Sequence, residues 1–513
     1  MKSIGTTVVL GFLVLILSLG CKRLPSVVLR AESHLVSGNA TSPLGSALAP
    51  ALTRFEGRTG FVAIPRARDA FAVRALLAQA AQQSLDLQYY IWHNDISGSL
   101  LFAATYDAAE RGVRVRLLID DNNSTPALDA ILGALDAHQN IEVRLFNPFL
   151  HRRAHLLGFL TDFSRLNRRM HNKSFTVDRA VTIVGGRNIG DEYFGADDNF
   201  GFADLDALAV GPAVTEVERD FEAYWASQSV YPLASIIKPL DSQTAARAIA
   251  ALRVVAGLPE AKTYIEAISR LPLVRNALAG QLDLEWTTVR LISDDPIKGV
   301  GQAAKGTRAV EQLSAVLGQP ASELQLVSPY FVPTASGTKQ LVDLAQRGIK
   351  VSLLTNSLEA TDVNAVHGGY AKWRKTLLRG GVSIFEVKRS LTTERKDKAL
   401  FSLSASSLHA KVVALDRARV FIGSLNLDPR SAYHNTELGF IIDSRATAAA
   451  ISDLFTNEIR QNAYEVRLGS DGGLVWLERR GDELITHHHE PGVGLLRRIT
   501  VKVLTWLPID SLL

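Results

Sequence analysis

The chain has 513 residues, 47% of them hydrophobic and 21% charged, with a formal net charge of +4. That balance excludes collagen-like, low-complexity and highly charged disordered classes, and the length allows two or three domains that each bury a core. A single cysteine excludes an intrachain disulfide framework, a Cys-ligated zinc ribbon and an iron–sulfur cluster.

Residues 1–21 predict a signal peptide or a short membrane anchor. No charge lies between Lys2 and Lys22, and residues 8–19 are almost wholly apolar. Cys21 follows Leu17-Ser18-Leu19-Gly20, an ending that resembles a bacterial lipobox and makes Cys21 a lipidation candidate. Ser18 stands where that pattern has an aliphatic residue, so an uncleaved anchor with an incidental cysteine is the alternative. The basic flank of Lys22, Arg23 and Arg30 leaves the membrane face open.

Residues 22–55 read as a linker. Beyond it the chain repeats itself. A strand over 85–92, a helix over 100–111 and a strand over 113–119 match a strand over 324–332, a helix over 338–347 and a strand over 349–354. Ser97-Gly98 and Ser336-Gly337 are 239 residues apart, and Arg111-Gly112 and Arg347-Gly348 are 236 apart. An offset held across unlike segments argues for duplication. Strand, helix, strand with short connections is a βαβ unit, so the expected fold is α/β: two duplicated domains, 56–230 and 286–470, each a mixed, mostly parallel sheet flanked by helices. Residues 231–285 read as a helical connector. Residues 471–513 form a C-terminal segment whose 495–513 stretch suits either an interfacial amphipathic helix or a core-capping one.

The same offset carries the polar residues. Residues 171–178 read His-Asn-Lys-Ser-Phe-Thr-Val-Asp, and residues 409–416 read His-Ala-Lys-Val-Val-Ala-Leu-Asp. Both are H-x-K-x-x-x-x-D, with the histidines 238 residues apart. In a strand, positions i and i+2 share a face, so His171 and Lys173 point together, as do His409 and Lys411. Asp178-Arg179 and Asp416-Arg417 lie between β-rich runs and predict hairpins. Each return strand runs into a Gly-rich turn and an asparagine: Gly185-Gly186-Arg187-Asn188 and Gly423-Ser424-Leu425-Asn426. Glycine there lets backbone approach a ligand, and Asn188 and Asn426 add amide donors. Two histidines, two lysines and two amides in one pocket suit displacement at an anionic phosphodiester.

On these motifs, and on the segments 187–193 and 423–431, the chain past residue 55 resembles the phospholipase D superfamily, the HKD proteins. Within it the chain is most similar to the bacterial cardiolipin synthase branch, especially its C type. The resemblance implies one active site shared by the two halves, a phosphohistidine intermediate, and no metal or other cofactor. It makes His171, Lys173, Asp178, His409, Lys411 and Asp416 the catalytic set, with Asn188 and Asn426 binding phosphate. By the same resemblance His171 is the nucleophile and His409 the acid/base. A carboxylate should orient each ring. Glu437 matches that acid, with Asp206 as its counterpart and Asp204 as the competitor. Asp178 and Asp416 are read as holding the hairpin and its lysine. The implied reaction joins two phospholipids into cardiolipin, with phosphatidylglycerol as acceptor and phosphatidylglycerol or phosphatidylethanolamine as donor. Water as acceptor would make the protein a phospholipase D instead, and a nuclease is a weaker superfamily alternative. The partners implied are phospholipids and a membrane in the bacterial envelope, without nucleic acid; a protein partner and the oligomeric state stay open.

Three further features stand outside the motifs. His487-His488-His489 reads as surface, because consecutive residues do not converge on one ion. Arg152, Arg153, His155, Arg165, Arg168 and Arg169 read as a basic approach to the first motif. His367 is placed at the pocket entrance.

Overall fold

The computed structural model describes residues 24–25, 42–197, 201–272, 276, 281, 283–389 and 407–506. Cys21 and the apolar amino-terminal run lie outside them. Among the described residues no helix is long and apolar enough to cross a membrane.

Among the described residues two large sheets form, of nine and ten strands, and eight strands of each correspond, Glu285–Thr287 being an extra edge strand of the first. The first runs Glu285–Thr287, Thr59–Ile64, Asp206–Val210, Val181–Gly185, Ser174–Val177, Ser84–Tyr89, Arg114–Asp120, Ile141–Phe146, Val230–Pro232. The second runs Val289–Ser293, Leu438–Ile442, Arg419–Gly423, Lys411–Leu415, Glu323–Val327, Lys350–Asn356, Ser383–Val387, Ala463–Leu468, and adds the hairpin Leu474–Arg480 and Glu483–His487. The duplication expected from the residue offsets is therefore a duplication of topology.

The sheets are mixed, but the expected parallel majority is not present. In the first sheet only Ser84–Tyr89 with Arg114–Asp120, and Arg114–Asp120 with Ile141–Phe146, pair in parallel. The physical reason is the H-x-K hairpin. A strand reached by a tight turn must run antiparallel to its neighbour, whereas parallel pairing needs a helical crossover. The crossovers are present where parallel pairing is, as in Ile96–Glu110 between the first two of those strands. Asp95 caps that helix by accepting from the Gly98 amide at 2.9 Å.

Both hairpins form at the expected place. Asp178 and Arg179 have φ of 50° and 55°, and Asp416 and Arg417 have φ of 52° each. Paired positive φ values are what a type I′ turn requires, and Asp tolerates them better than most residues.

The sheets meet across a shared apolar layer. Phe61, Val184, Ala207 and Ala209 of the first pack with Val412, Val420, Ile422 and Phe440 of the second. The small alanines let the two pleated surfaces approach closely, and the buried strands read as continuous apolar runs because neither face meets water. Two short ties reinforce the contact: Phe202–Ala203 pairs in parallel with Ser407–Leu408, and Met170 bridges Thr436. Both ties run beside a motif histidine.

Candidate active site

The strand ends carrying the two motifs open onto one cavity of about 470 Å³. His171 and His409 both line it, with Asn188 and Asn426, the rings of Tyr90, Tyr193, Phe202 and Tyr330, and Asp428 and Arg430. Lys173, just before Ser174–Val177, and Lys411, the first residue of Lys411–Leu415, are buried beside their histidines. Residues 238 apart thus converge from two sheets on one space.

Each histidine is held by the acid of the other half. His171 Nδ1 lies 2.8 Å from Glu437 Oε2, and His409 Nδ1 lies 2.6 Å from Asp204 Oδ2. The backbone makes the same exchange. The His171 amide donates to the Thr436 carbonyl at 2.9 Å, and the His409 amide to the Ala203 carbonyl at 2.8 Å. A carboxylate on Nδ1 keeps the proton on that nitrogen and leaves the Nε2 lone pair free for chemistry.

Asp206, placed first as the counterpart of Glu437, does not touch a histidine. Its carboxylate accepts from Arg74 at 2.9 Å and lies 3.3 Å from the Arg187 guanidinium, fully buried. The register explains why. The Gly186 amide donates to the Leu205 carbonyl, and the Ser424 amide to the Leu438 carbonyl. Leu205 therefore corresponds to Leu438, Asp204 to Glu437, and Asp206 to Gly439. Asp206 is already paired inside the strand, opposite Ile64 and Gly185, whereas Asp204 lies before the strand begins, so the Asp206 carboxylate meets Arg74 and Arg187 within the first half.

The Gly-rich turns also act differently from the expectation. A Cβ on Gly186 would sit 2.2 Å from Asp204 Oδ1, and one on Gly185 would sit 2.0 Å from Asp206 Oδ1. Close backbone approach serves the carboxylates rather than a ligand. Ser424 replaces Gly186 in the second half and donates its hydroxyl to Glu437, as does Ser431.

Asp178 and Asp416 hold their hairpins as expected, but not the lysines. Asp178 accepts from the amides of Gln82, Gln83 and Ser84, and Asp416 from those of Ala321, Ser322 and Glu323. Both pin their hairpin to the start of the adjacent strand, at the end remote from the cavity. Neither carboxylate bonds a lysine.

Burial dominates the electrostatics. It pushes His171 down to about 4 and His409 to about 3, helped by the buried lysines and opposed by the paired acids. Both rings are therefore neutral at pH 7. Burial lowers Lys411 to about 8 and Lys173 well below its ordinary value. Burial by itself would raise Asp204 and Glu437, but the facing histidines and lysines hold both below the usual carboxylate range. An anion entering the cavity would reverse the pressure on the lysines and imidazoles.

Asn188 already uses both ends of its amide, accepting from the Ile91 amide at 3.3 Å and donating to the Tyr193 hydroxyl at 3.0 Å. The Asn426 side chain makes no hydrogen bond to another described residue, and its Oδ1 is buried. The tyrosines that wall the cavity were not found in the sequence. Tyr90 packs edge-on to His171 at 5.0 Å and Tyr193 to His409 at 5.1 Å. Their signal was available: Tyr90 directly follows the first strand, and Tyr193 shares the turn with Asn188.

His367 is buried one turn behind the cavity, with Nε2 3.4 Å from Glu490, while Val363 and Val366 of its helix reach the cavity. The basic approach is largely paired internally. Arg152 bonds Asp121 and Asp129, Arg165 bonds Asp162, and Arg169 is buried against Asp120. His487 lies on an edge strand beside Glu478. Among the described residues, no group of three or more His, Cys, Asp or Glu side chains is arranged to hold a metal.

Two neutral imidazoles held at Nδ1 by carboxylates, two lysines buried beside them (Lys411 Nζ lies 3.1 Å from His409 Nε2) and an unused amide at one cavity can bind an oxyanion, attack it and exchange its substituent. Comparison with known proteins narrows that chemistry. The family described as cardiolipin synthase, PLD-like domain, matches residues 74–225 and 313–459. Cardiolipin synthase C of Escherichia coli (strain K12) is 45% identical over 475 residues, 92% of this chain and 99% of that one. An uncharacterized protein of Helicobacter pylori (strain ATCC 700392 / 26695) is 31% identical, over 80% and 81% of the two chains. Among solved structures, the phosphatidylserine synthase of Haemophilus influenzae Rd KW20 superposes with a TM-score of 0.57, covering 91% of this chain and 99% of that one at 13% identity. That last likeness concerns the fold.

Proposed function

The chain belongs to the cardiolipin synthase, PLD-like domain family, and from that premise we propose that it is a phosphatidyltransferase that joins two phospholipids into cardiolipin through a phosphohistidine. The observation that carries this reading is the pair of motif histidines in one cavity, each with a carboxylate on Nδ1.

His171 Nε2 attacks the donor phosphorus and the bond to the head-group oxygen breaks. The anionic donor favours the charged form of the facing ring, so His409 takes up a proton at Nε2 as the donor binds and passes it to that leaving oxygen. In the second step His409 takes the proton from the incoming hydroxyl, whose oxygen displaces His171. Lys173, Lys411 and Asn426 stabilise charge on the non-bridging oxygens. Asn188 holds the Tyr193 side of the cavity, so its part is positional until a ligand displaces that bond. Phosphatidylglycerol serves as acceptor, and phosphatidylglycerol or phosphatidylethanolamine as donor. The enzyme works at a membrane of the bacterial envelope, and Cys21 or the apolar run before it supplies the anchor.

Purified protein given labelled phosphatidylglycerol and phosphatidylethanolamine, with and without chelator, tests the reading. Cardiolipin should form in both conditions. Phosphatidic acid as sole product would make the protein a hydrolase, and complete loss in chelator would break the metal-free scheme.

A further inference from the structure

Two helices, one from each half, leave apolar stripes uncovered beside the cavity. In His155–Leu166, Leu156 is 73% exposed and Leu160 75%, with Phe163 half exposed on the next turn. A spacing of four places Leu156 and Leu160 along one side, and Phe163 follows a kink at Asp162 (φ −147°, ψ 46°). In Leu495–Leu504, Leu495, Leu496, Ile499 and Val503 are exposed, and Trp506 just beyond is 74% exposed. Isolated exposed apolar residues are ordinary, but two grouped stripes are not.

Both helices are built into the cavity walls. The first ends five residues before His171, and its capping residue Asn167 accepts from Arg430, which lines the cavity. The second packs on Asn364–Ala371, whose Val366 also lines it. Arg497 donates to Asn364 Oδ1 at 2.9 Å and to the Thr361 carbonyl at 2.8 Å. A Cβ on Gly368 would sit 3.1 Å from that of Leu504, so this seat is close. Val363 lines the cavity and is itself 36% exposed.

We infer that these two stripes are the feet by which the folded domains lie on an anionic phospholipid bilayer, one on each side of the cavity mouth. Two observations select that occupant over a protein. The C-terminal helix has no acid, and besides Arg497, which seats it, it carries Arg498 and the exposed Lys502, which complement anionic head groups. A ten-residue helix spans only about 15 Å, too short to cross a bilayer but suited to lie in its surface plane with Trp506 at the head-group level. The inference rests on the proposed lipid chemistry, because a diacyl substrate reaches a cavity held at the surface without leaving the bilayer.

The test uses the full chain in two arms. In hydrogen exchange, segments 155–166 and 495–504 should gain protection when phosphatidylglycerol vesicles are added. No gain, or protection that follows protein concentration without vesicles, would overturn the idea, the latter in favour of a second copy. In kinetics, L156E/L160E and L496E/I499E should each lower turnover on vesicles roughly tenfold or more while sparing turnover of a short-chain phospholipid dissolved as monomers. Equal loss on both substrates, or no loss on vesicles, refutes it. If the unaltered protein turns over neither lipid, the phosphatidyltransferase reading falls, and the exchange arm still decides the docking.

Discussion

The two halves share a topology but not a chemistry. His171 is held by Glu437, which in turn accepts from two serine hydroxyls, and the Glu437 amide donates to Asp294 at 2.9 Å. His409 is held by Asp204, which lies near the Arg187 guanidinium and a backbone amide, and Lys411 Nζ sits 2.9 Å from the His409 ring. The longer, hydroxyl-braced acid thus orients one ring, and the shorter, guanidinium-backed acid orients the other. Duplicated strands repeat because the sheet demands it, while side chains on equivalent strands are free to take unequal parts in an exchange that needs a nucleophile and an acid.

The sharpest way to break this comparison is to remove one histidine at a time. His171→Ala and His409→Ala should each lower transfer by roughly 10³-fold or more, because neither ring substitutes for the other. Rapid-quench labelling should trap phosphate on the peptide containing His171. A label on the His409 peptide would exchange the two roles. The acids come next. Asp204→Asn and Glu437→Gln should cost roughly 10²–10⁴-fold in turnover with folding intact, since the carboxylate sets the tautomer. Asp206→Asn should act on stability instead, by about 3–5 kcal/mol in denaturant melts, because it strips a partner from buried Arg74 and Arg187. If Asp206→Asn proves stable and inactive, the register assignment is wrong.

The pH dependence sharpens the contrast further. Lys411 loses its proton as pH rises through about 8, so activity should fall on that alkaline side, and Lys411→Arg should move the fall upward if it retains turnover. On the acid side, both histidines bind protons less readily folded than unfolded. The unfolded chain therefore takes up more protons below about 6.5, and stability should decline from there toward pH 3–4. The smallest effect separates the two turns. Asp178→Ala should destabilise by about 2–3 kcal/mol and Asp416→Ala by about 1 kcal/mol, because Asp178 is wholly buried and Asp416 is not.

Much of this was legible before any coordinates. The H-x-K spacing told that histidine and lysine share a strand face, and the repeated Asp-Arg marked both type I′ turns. The 238-residue offset announced two equivalent strands. Pairing across the halves was not legible, because nothing local tells a strand which sheet will face it. Asp204 lost to Asp206 through a two-residue register shift, which preserves the strand face and so leaves no trace in the period-two pattern. Aligning Leu205 with Leu438 would have corrected it. The parallel majority was overestimated because the βαβ signal is strong in sequence, whereas the hairpins contribute more neighbours.

The crossing of acids also governs how this chain can vary. A half produced alone would present a histidine with no carboxylate on Nδ1, so its forerunner needed a twofold assembly to be competent. In the single chain each histidine and its acid form one unit split across 205 or 266 residues. Recombining whole halves between relatives would separate both units at once, and viable chimaeras should be those in which residues 203–206 travel with 407–411, and 169–173 with 436–438.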